Sequence, residues 1–569
     1  MRHNTKRLVA VLTCCAMVFG FTVNSFAGQG AGREAFNARL AAGLERTLNK
    51  AAEGLMNVVA ALVPNAVTVQ KLDRYAPGTE FKGDETFLDA PANRGMWRLG
   101  YASDSIVPAD FAEGKYYKGG YALDKITKEL LDDLRVRVVS LDDSSGRGAV
   151  IFAVVDCIGL ANADVQRIRA ALKPFAEENG IKSINVSATH THSGIDTQGV
   201  YTNIVKSVLR NIGASMVRSD KLAPAISEDF LNLIVEKTAA CAKQAFAAME
   251  PGMLTYAKAD LSDYTRDRTA PFCYDGNMYR LLFAPANKSS RPTIIASLGV
   301  HPEGVGFEQD AASADFIYYM DQLMREKGYN LLFMQGALGT VTEDMYLSSD
   351  EITETRTESV VRYGQELGYI AIGMTMDEAA RKALTDKEWE QAGVAGGAYT
   401  PWYEGLAVSQ EQTLKPILNI RTEELLVKID CPVYKALGKL ALANNAIYRD
   451  GLFDYYSATE IGYMELGGVV KAVLCPGETY GELIYGGEKM AGLPFGPLHE
   501  EMGTEDVMVL DLMNDAIGYI MPDDDFVYFH VDPTEDFVEF TGAWGMTSVG
   551  RHAASQVYGA VNELYDSIR

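Results

Sequence analysis

Few side chains in this sequence can do acid–base or metal chemistry at neutral pH: there are seven histidines in 569 residues. Two of them stand in Thr189-His190-Thr191-His192-Ser193-Gly194, directly after Ile184, Val186 and Ala188, which alternate as the buried positions of a strand do. Continued, that alternation carries both imidazoles onto the buried face at the strand's end, a costly place for polar rings without partners or a metal. His301 ends the apolar run 294–300 and precedes Pro302, where a strand must stop. Open α/β sheets build their sites at strand ends. Three neutral imidazoles with an open fourth position would make a hydrolytic zinc centre, although spacing alone does not show that the three converge. The plainer alternative is a set of hydrogen-bonded core histidines.

The elements that must position these rings follow one grammar twice. The continuous apolar run 149–155 suits a strand covered on both faces. A helix follows, with Asp164 as its cap, Val165, Ile168 and Leu172 on one face, Pro174 as a disturbance and Gly180 as its stop, and then comes the strand that leads to His190. Further on, a strand over 293–300, a helix over 313–327 stopped by Gly328, and a strand over 331–334 run into a Gly336/Gly339 turn. Strands near 469–474 and 507–512 supply more sheet, and 33–62, rich in Ala and Leu and closed by Pro64, reads as one or two helices packed on the main body. The expected fold class is α/β, with mixed β-sheets flanked by helices. Three parts are expected: a leader over 1–27, a helical segment over 28–80 and a catalytic unit over 81–569. The Gly- and Pro-bearing stretch 384–412 is the candidate for an internal boundary.

Apolar residues make up 47% and charged residues 22%, which excludes a disordered chain and implies a large core. The formal charge is −24, and three basic residues, Arg2, Lys6 and Arg7, lie in the first 27, so the remainder is more acidic still. Such a surface repels phosphate backbones and anionic headgroups, which excludes nucleic acid as a partner. Residues 1–27 have the parts of a secretory signal: the basic start, the apolar run 8–23, and Ser25-Phe26-Ala27 before a cleavage site. Cleavage after Ala27 and a secreted or periplasmic location are expected. The run is shorter than the roughly 20 residues a spanning helix needs, no later segment reaches that length, and Thr13 is the wrong residue ahead of Cys14 and Cys15 for lipid attachment. Beyond the leader, Cys157, Cys241, Cys273, Cys431 and Cys475 form no CxxC motif and allow at most two disulfides, so most are expected to be buried thiols.

In order, the segments VVDCIGLANADVQRIRAAL…INVSATHTHSG, LGVHPEGVG…ASADFIYYMDQL…LLFMQGALGTVTE, VLCPGETYGE and NDAIGYIMP resemble the catalytic domain of neutral, non-lysosomal ceramidases and their shorter bacterial relatives, from roughly residue 95 to the C-terminus. The resemblance implies a layered αββα-like domain and a zinc-dependent amidase. Its zinc (Zn²⁺) would be held by His190, His301, Glu478 and Tyr519, with His192 turned towards the substrate. It also implies an arginine between the two histidine motifs, for which Arg266, the first choice, and Arg268 are candidates. The implied substrate is a ceramide or another N-acyl lipid with an amide bond.

The departures bear on activity. Where the family's GDxSP loop carries a serine at the reacting centre, this chain reads Gly339-Thr340-Val341-Thr342-Glu343, so Thr342 stands in its place with a hydroxyl and an added methyl. The tyrosine of the family's YE element is replaced by Val538 before Glu539, and the C-terminal immunoglobulin-like domain of the long ceramidases is not expected. A zinc-containing binding protein without turnover and a zinc esterase are the alternatives.

Overall fold

The computed structural model describes residues 31–568 apart from 79, 122, 224–225, 271, 307–308, 346–354, 386–401, 529, 532–537 and 540–544. The expected leader and most of the 384–412 stretch lie outside the described residues. The apolar run that begins at Ala149 forms the strand Val150–Val155, buried at every position because it lies inside a nine-stranded sheet with both faces covered. From one edge the strands are Asn330–Gln335, Thr293–Leu298, Asn277–Pro285, Glu250–Asp260, Trp97–Ser105, Arg135–Asp142, Val150–Val155 and Ser183–Ala188, with Gln412–Thr413 paired onto Glu250–Asp260. The outermost pair at each edge is parallel, and the pairings between are antiparallel. Each parallel pair is joined by a helix, Asn162–Asn179 at one edge and Phe316–Glu326 at the other, as a parallel connection requires. The two halves of the sheet thus repeat one topology, and the edge strands end near each other: Gln335 Nε2 donates to Thr189 O at 2.6 Å.

Side-chain parity sets the layers. Ile184, Val186 and Ala188 pack on Val165, Ile168 and Leu172 of the first crossover helix, and Ile294, Ala296 and Leu298 pack on Phe316 and Met320 of the second. The opposite face, with Val139, Phe152, Val154 and Leu281, meets Leu418, Ile420, Met464 and Leu474 of a six-stranded sheet. That sheet is built on Asp454–Leu466, flanked by Leu418–Lys428, Ile447–Asp450 and Val470–Leu474, with Val507–Leu510 beyond. Its far face is closed by Ala553–Ser567 through Val557, Tyr558 and Val561. The order helix, sheet, sheet, helix is the expected α/β layering of mixed sheets between helices. Each large apolar side chain taken fully out of water here contributes about 1.5–3 kcal/mol.

Several local expectations change. Asp164 does not cap its helix: the cap is Ala161, and Asp164 is a buried first-turn residue, while Gly180 ends the helix at φ 66° as a left-handed C-cap. The second crossover helix starts later than expected, at Phe316, because Asp315 takes φ 59° and its side chain accepts from Phe316 N. A single helix, Ala31–Leu62, covers the N-terminal segment and is docked by Lys439 Nζ on Ala60 O at 2.8 Å and by Tyr528 N on Asn49 Oδ1 at 2.6 Å. The five cysteines among the described residues are unpaired, four of them buried. No described helix is long and apolar enough to cross a membrane.

Candidate metal centre

The two sheets deliver their ends to one point. The strand before the first histidine pair stops at Ala188, and His190 takes φ 64°, a left-handed conformation rare for a residue with a side chain. This turn breaks the alternation that would have carried both rings onto the helix-covered face. His190 Nδ1 lies 2.6 Å from Ile158 O, in the segment after the neighbouring strand Val150–Val155. His301, fully buried, places Nδ1 2.8 Å from Val341 O, and its backbone N–H donates to the same oxygen at 2.9 Å. A carbonyl oxygen can only accept, so both rings carry their proton on Nδ1 and aim an Nε2 lone pair the other way. At that point stands Glu478 Oε2, 3.4 Å from His190 Nε2 and 3.2 Å from His301 Nε2. Glu478 comes from the other sheet's side. It lies on the two-residue strand Glu478–Thr479, paired in parallel with Tyr519–Ile520 so that Glu478 and Tyr519 are register partners. The Tyr519 ring is 6.3 Å from that of His301, and burial pushes its phenol well above the ordinary range.

This arrangement fits a bound cation on its own terms. Two imidazole lone pairs and a carboxylate oxygen facing one another at these distances repel unless a proton or a metal sits among them. Their separations match the edge of a tetrahedron, about 3.3–3.4 Å, around a metal about 2.0–2.1 Å from each ligand. The Nδ1–H to carbonyl bonds are the usual way a protein orients metal-binding imidazoles. Burial alone would raise the Glu478 carboxyl, yet His190 and His301 outweigh it and hold the group well below the usual carboxylate range. Burial would lower His190, but Glu478 prevails and moves it up, whereas at His301 burial prevails and moves it down.

His192 differs from its two neighbours. Its ring centre is 4.9 Å from that of His190 and 5.5 Å from that of His301, and the ligand atoms of all three histidines lie within 4.8 Å of one another, so a three-imidazole set is also in reach. Neither of its ring nitrogens has a hydrogen-bond partner among the described residues; Nδ1 lies 3.4 Å from Glu303 Oε1, and burial pushes the ring down to about 3. Glu303 also accepts from Arg268 Nη1 at 2.9 Å. Burial opposes its charge, but His192, His301 and Arg268 hold it down at about 2. Sequence reasoning passed over Glu303. Its signal was an acidic residue two places after a strand-end histidine.

Of the two arginines, the structure brings Arg268 to this cluster, contrary to the first choice. Arg266 is exposed on the short strand Thr265–Asp267, because alternation there turns Thr265 and Asp267 inward. Thr342 lies opposite Arg266 in that ladder and beside His301 in a parallel bridge, and its hydroxyl donates to Glu343 Oε2 at 2.8 Å. The strand Val538–Glu539 is present, but its side chains lie outside the described residues.

No family model matches the sequence, and neither does any curated protein. Solved structures do match the fold, and two ceramidases are among them. The crystal structure of neutral ceramidase from Pseudomonas aeruginosa aligns with a TM-score of 0.55 at 15% identity, covering 84% of this chain and 74% of that one. A ceramidase complexed with C2 aligns with a TM-score of 0.54 at 15% identity, covering 83% and 75%. At this identity the likeness establishes a ceramidase-like fold.

Proposed function

We propose that this chain is an exported zinc-dependent amidohydrolase that cleaves the amide bond of an N-acyl lipid such as a ceramide. The observation that carries the reading is the convergence of His190 Nε2, His301 Nε2 and Glu478 Oε2 from two sheets, with both rings already tied to carbonyls. These three would hold the metal, with Tyr519 beside them. When bound, zinc supplies Lewis-acid polarisation and a water that ionises near neutral pH. His192, a neutral ring with no hydrogen-bond partner on either nitrogen among the described residues and a carboxylate beside Nδ1, is suited to take a proton from the attacking water and hand it to the amide nitrogen as it leaves. Arg268, fixed by Glu303, brings a positive charge to where a carbonyl oxygen becomes negative. The Thr342 hydroxyl is already donated to Glu343, which suits an auxiliary hydrogen-bonding group better than a nucleophile. In this reading 1–27 is the export leader and 81–569 the catalytic unit.

The test is to purify the mature protein, measure its metal content, and assay short and long N-acyl amides beside matched esters. About one zinc per chain with amide hydrolysis that His190→Ala abolishes is expected. Hydrolysis of esters alone would make it a zinc esterase, zinc without any turnover a binding protein, and absence of transition metal would end the proposal.

A further inference from the structure

Resting on the metal site just proposed, we infer that Gln335 is the positioning residue that sets the spacing of the two metal-binding histidines. Its side chain is fully buried at the end of the edge strand Asn330–Gln335 and uses both ends of its amide. Nε2 donates to Thr189 O at 2.6 Å, and Oε1 accepts from Val300 N at 3.3 Å. Thr189 immediately precedes His190, and Val300 immediately precedes His301. The orientation of the amide is fixed, because one partner can only accept and the other can only donate. The bond to Thr189 crosses from one edge of the nine-stranded sheet to the other, between segments that share no ladder, whereas Val300 lies just beyond the strand that pairs with Asn330–Gln335.

The main chain of the same residue extends the clamp to the third ligand. Gln335 O accepts from Asp511 N at 3.1 Å, and the buried Asp511 carboxylate accepts from Thr479 N at 2.7 Å, Thr479 Oγ1 at 2.6 Å and Leu338 N at 3.1 Å. Thr479 follows Glu478. The residues adjoining all three converging ligands are therefore tied to position 335, directly or through one carboxylate. The clamp also accounts for the left-handed His190: such a conformation persists only where its surroundings over-determine it, and the peptide before it is pinned by Gln335.

The experiment compares the parent with Gln335→Met, which keeps the length and loses both bonds, Gln335→Glu, which keeps the acceptor for Val300 N, and Leu564→Ala, a cavity control near the C-terminal end of the helix Ala553–Ser567. Zinc affinity is measured by chelator competition, the cobalt(II) form by its visible spectrum, and metal-free crystals by the His190 backbone and its separation from Glu478. Gln335→Met is expected to weaken zinc about 10- to 100-fold and to shift the cobalt spectrum, as loss of outer partners does. A Leu564→Ala protein with an equal drop in Tm keeps both. Gln335→Glu should fall between, with His190 displaced and His301 retained, and it serves if Gln335→Met does not fold. Parent-like affinity and an unmoved His190 in both Gln335 variants would overturn the clamp. If the parent binds no zinc, the metal-site reading fails by itself, and the metal-free crystals still decide whether Gln335 holds His190.

Discussion

The two sides of the site are built differently. On the metal side, His190 and His301 each give Nδ1 to a backbone carbonyl and meet one carboxylate oxygen, so their geometry is set before any ligand arrives. On the other side, neither His192 ring nitrogen nor Arg268 Nε has a hydrogen-bond partner among the described residues, and Glu303 stands against both side chains. Buried polar groups left unsatisfied cost about 1–3 kcal/mol each unless something binds them. A side preset for a metal and a facing side left unsatisfied are what the proposed hydrolase would need, since the metal would stay while the substrate comes and goes.

Loss of a metal-side ligand should have the largest effect. His301→Ala or Glu478→Gln is expected to remove both zinc and amide hydrolysis, read by metal analysis and product assay on the same preparation. On the facing side the two readouts should separate. His192→Ala is expected to keep zinc and lose about 10²- to 10⁴-fold in kcat, the usual worth of a positioned proton-transfer group. Zinc loss in this variant would move His192 to the metal side and restore the three-imidazole set. Arg268→Gln should cost about 10²-fold in kcat/KM with zinc retained. The exposed Arg266→Gln serves as its internal comparison and should leave the rate within about twofold. The smallest effect is expected from Thr342→Ala, which removes one hydrogen bond worth about 0.5–1.5 kcal/mol, a loss of roughly 2- to 10-fold. Complete loss of turnover there, with zinc still bound, would instead make Thr342 a nucleophile.

The parts of the fold legible in the sequence are those made by local pattern. The apolar run that begins at Ala149 and the alternation at Ile184, Val186 and Ala188 announce the edge unit, and the run before His301 announces its counterpart. The antiparallel centre of the sheet was not legible, because the pairing of Trp97–Ser105 with Glu250–Asp260 joins segments far apart in sequence. At the site, His190, His192 and His301 could be picked out as polar rings at strand ends. Glu478 and Tyr519 carried no signal of their own and were named through the resemblance; the two-residue ladder that places them side by side leaves no periodic trace. The choice between Arg266 and Arg268 turned on the parity of a three-residue strand, too short for alternation to show. The orientation of His190 turned on a single backbone conformation, φ 64°, that the run of alternating residues before it could not foretell.

The central claim is that His190, His301 and Glu478 form a metal site with His192 outside it. Anomalous diffraction at the zinc absorption edge, from crystals of the parent protein grown with zinc, tests this most directly. The account predicts one peak about 2.0–2.2 Å from His190 Nε2, His301 Nε2 and Glu478 Oε2. No peak at this point, or a peak ligated by His192 with Glu478 turned away, would contradict it.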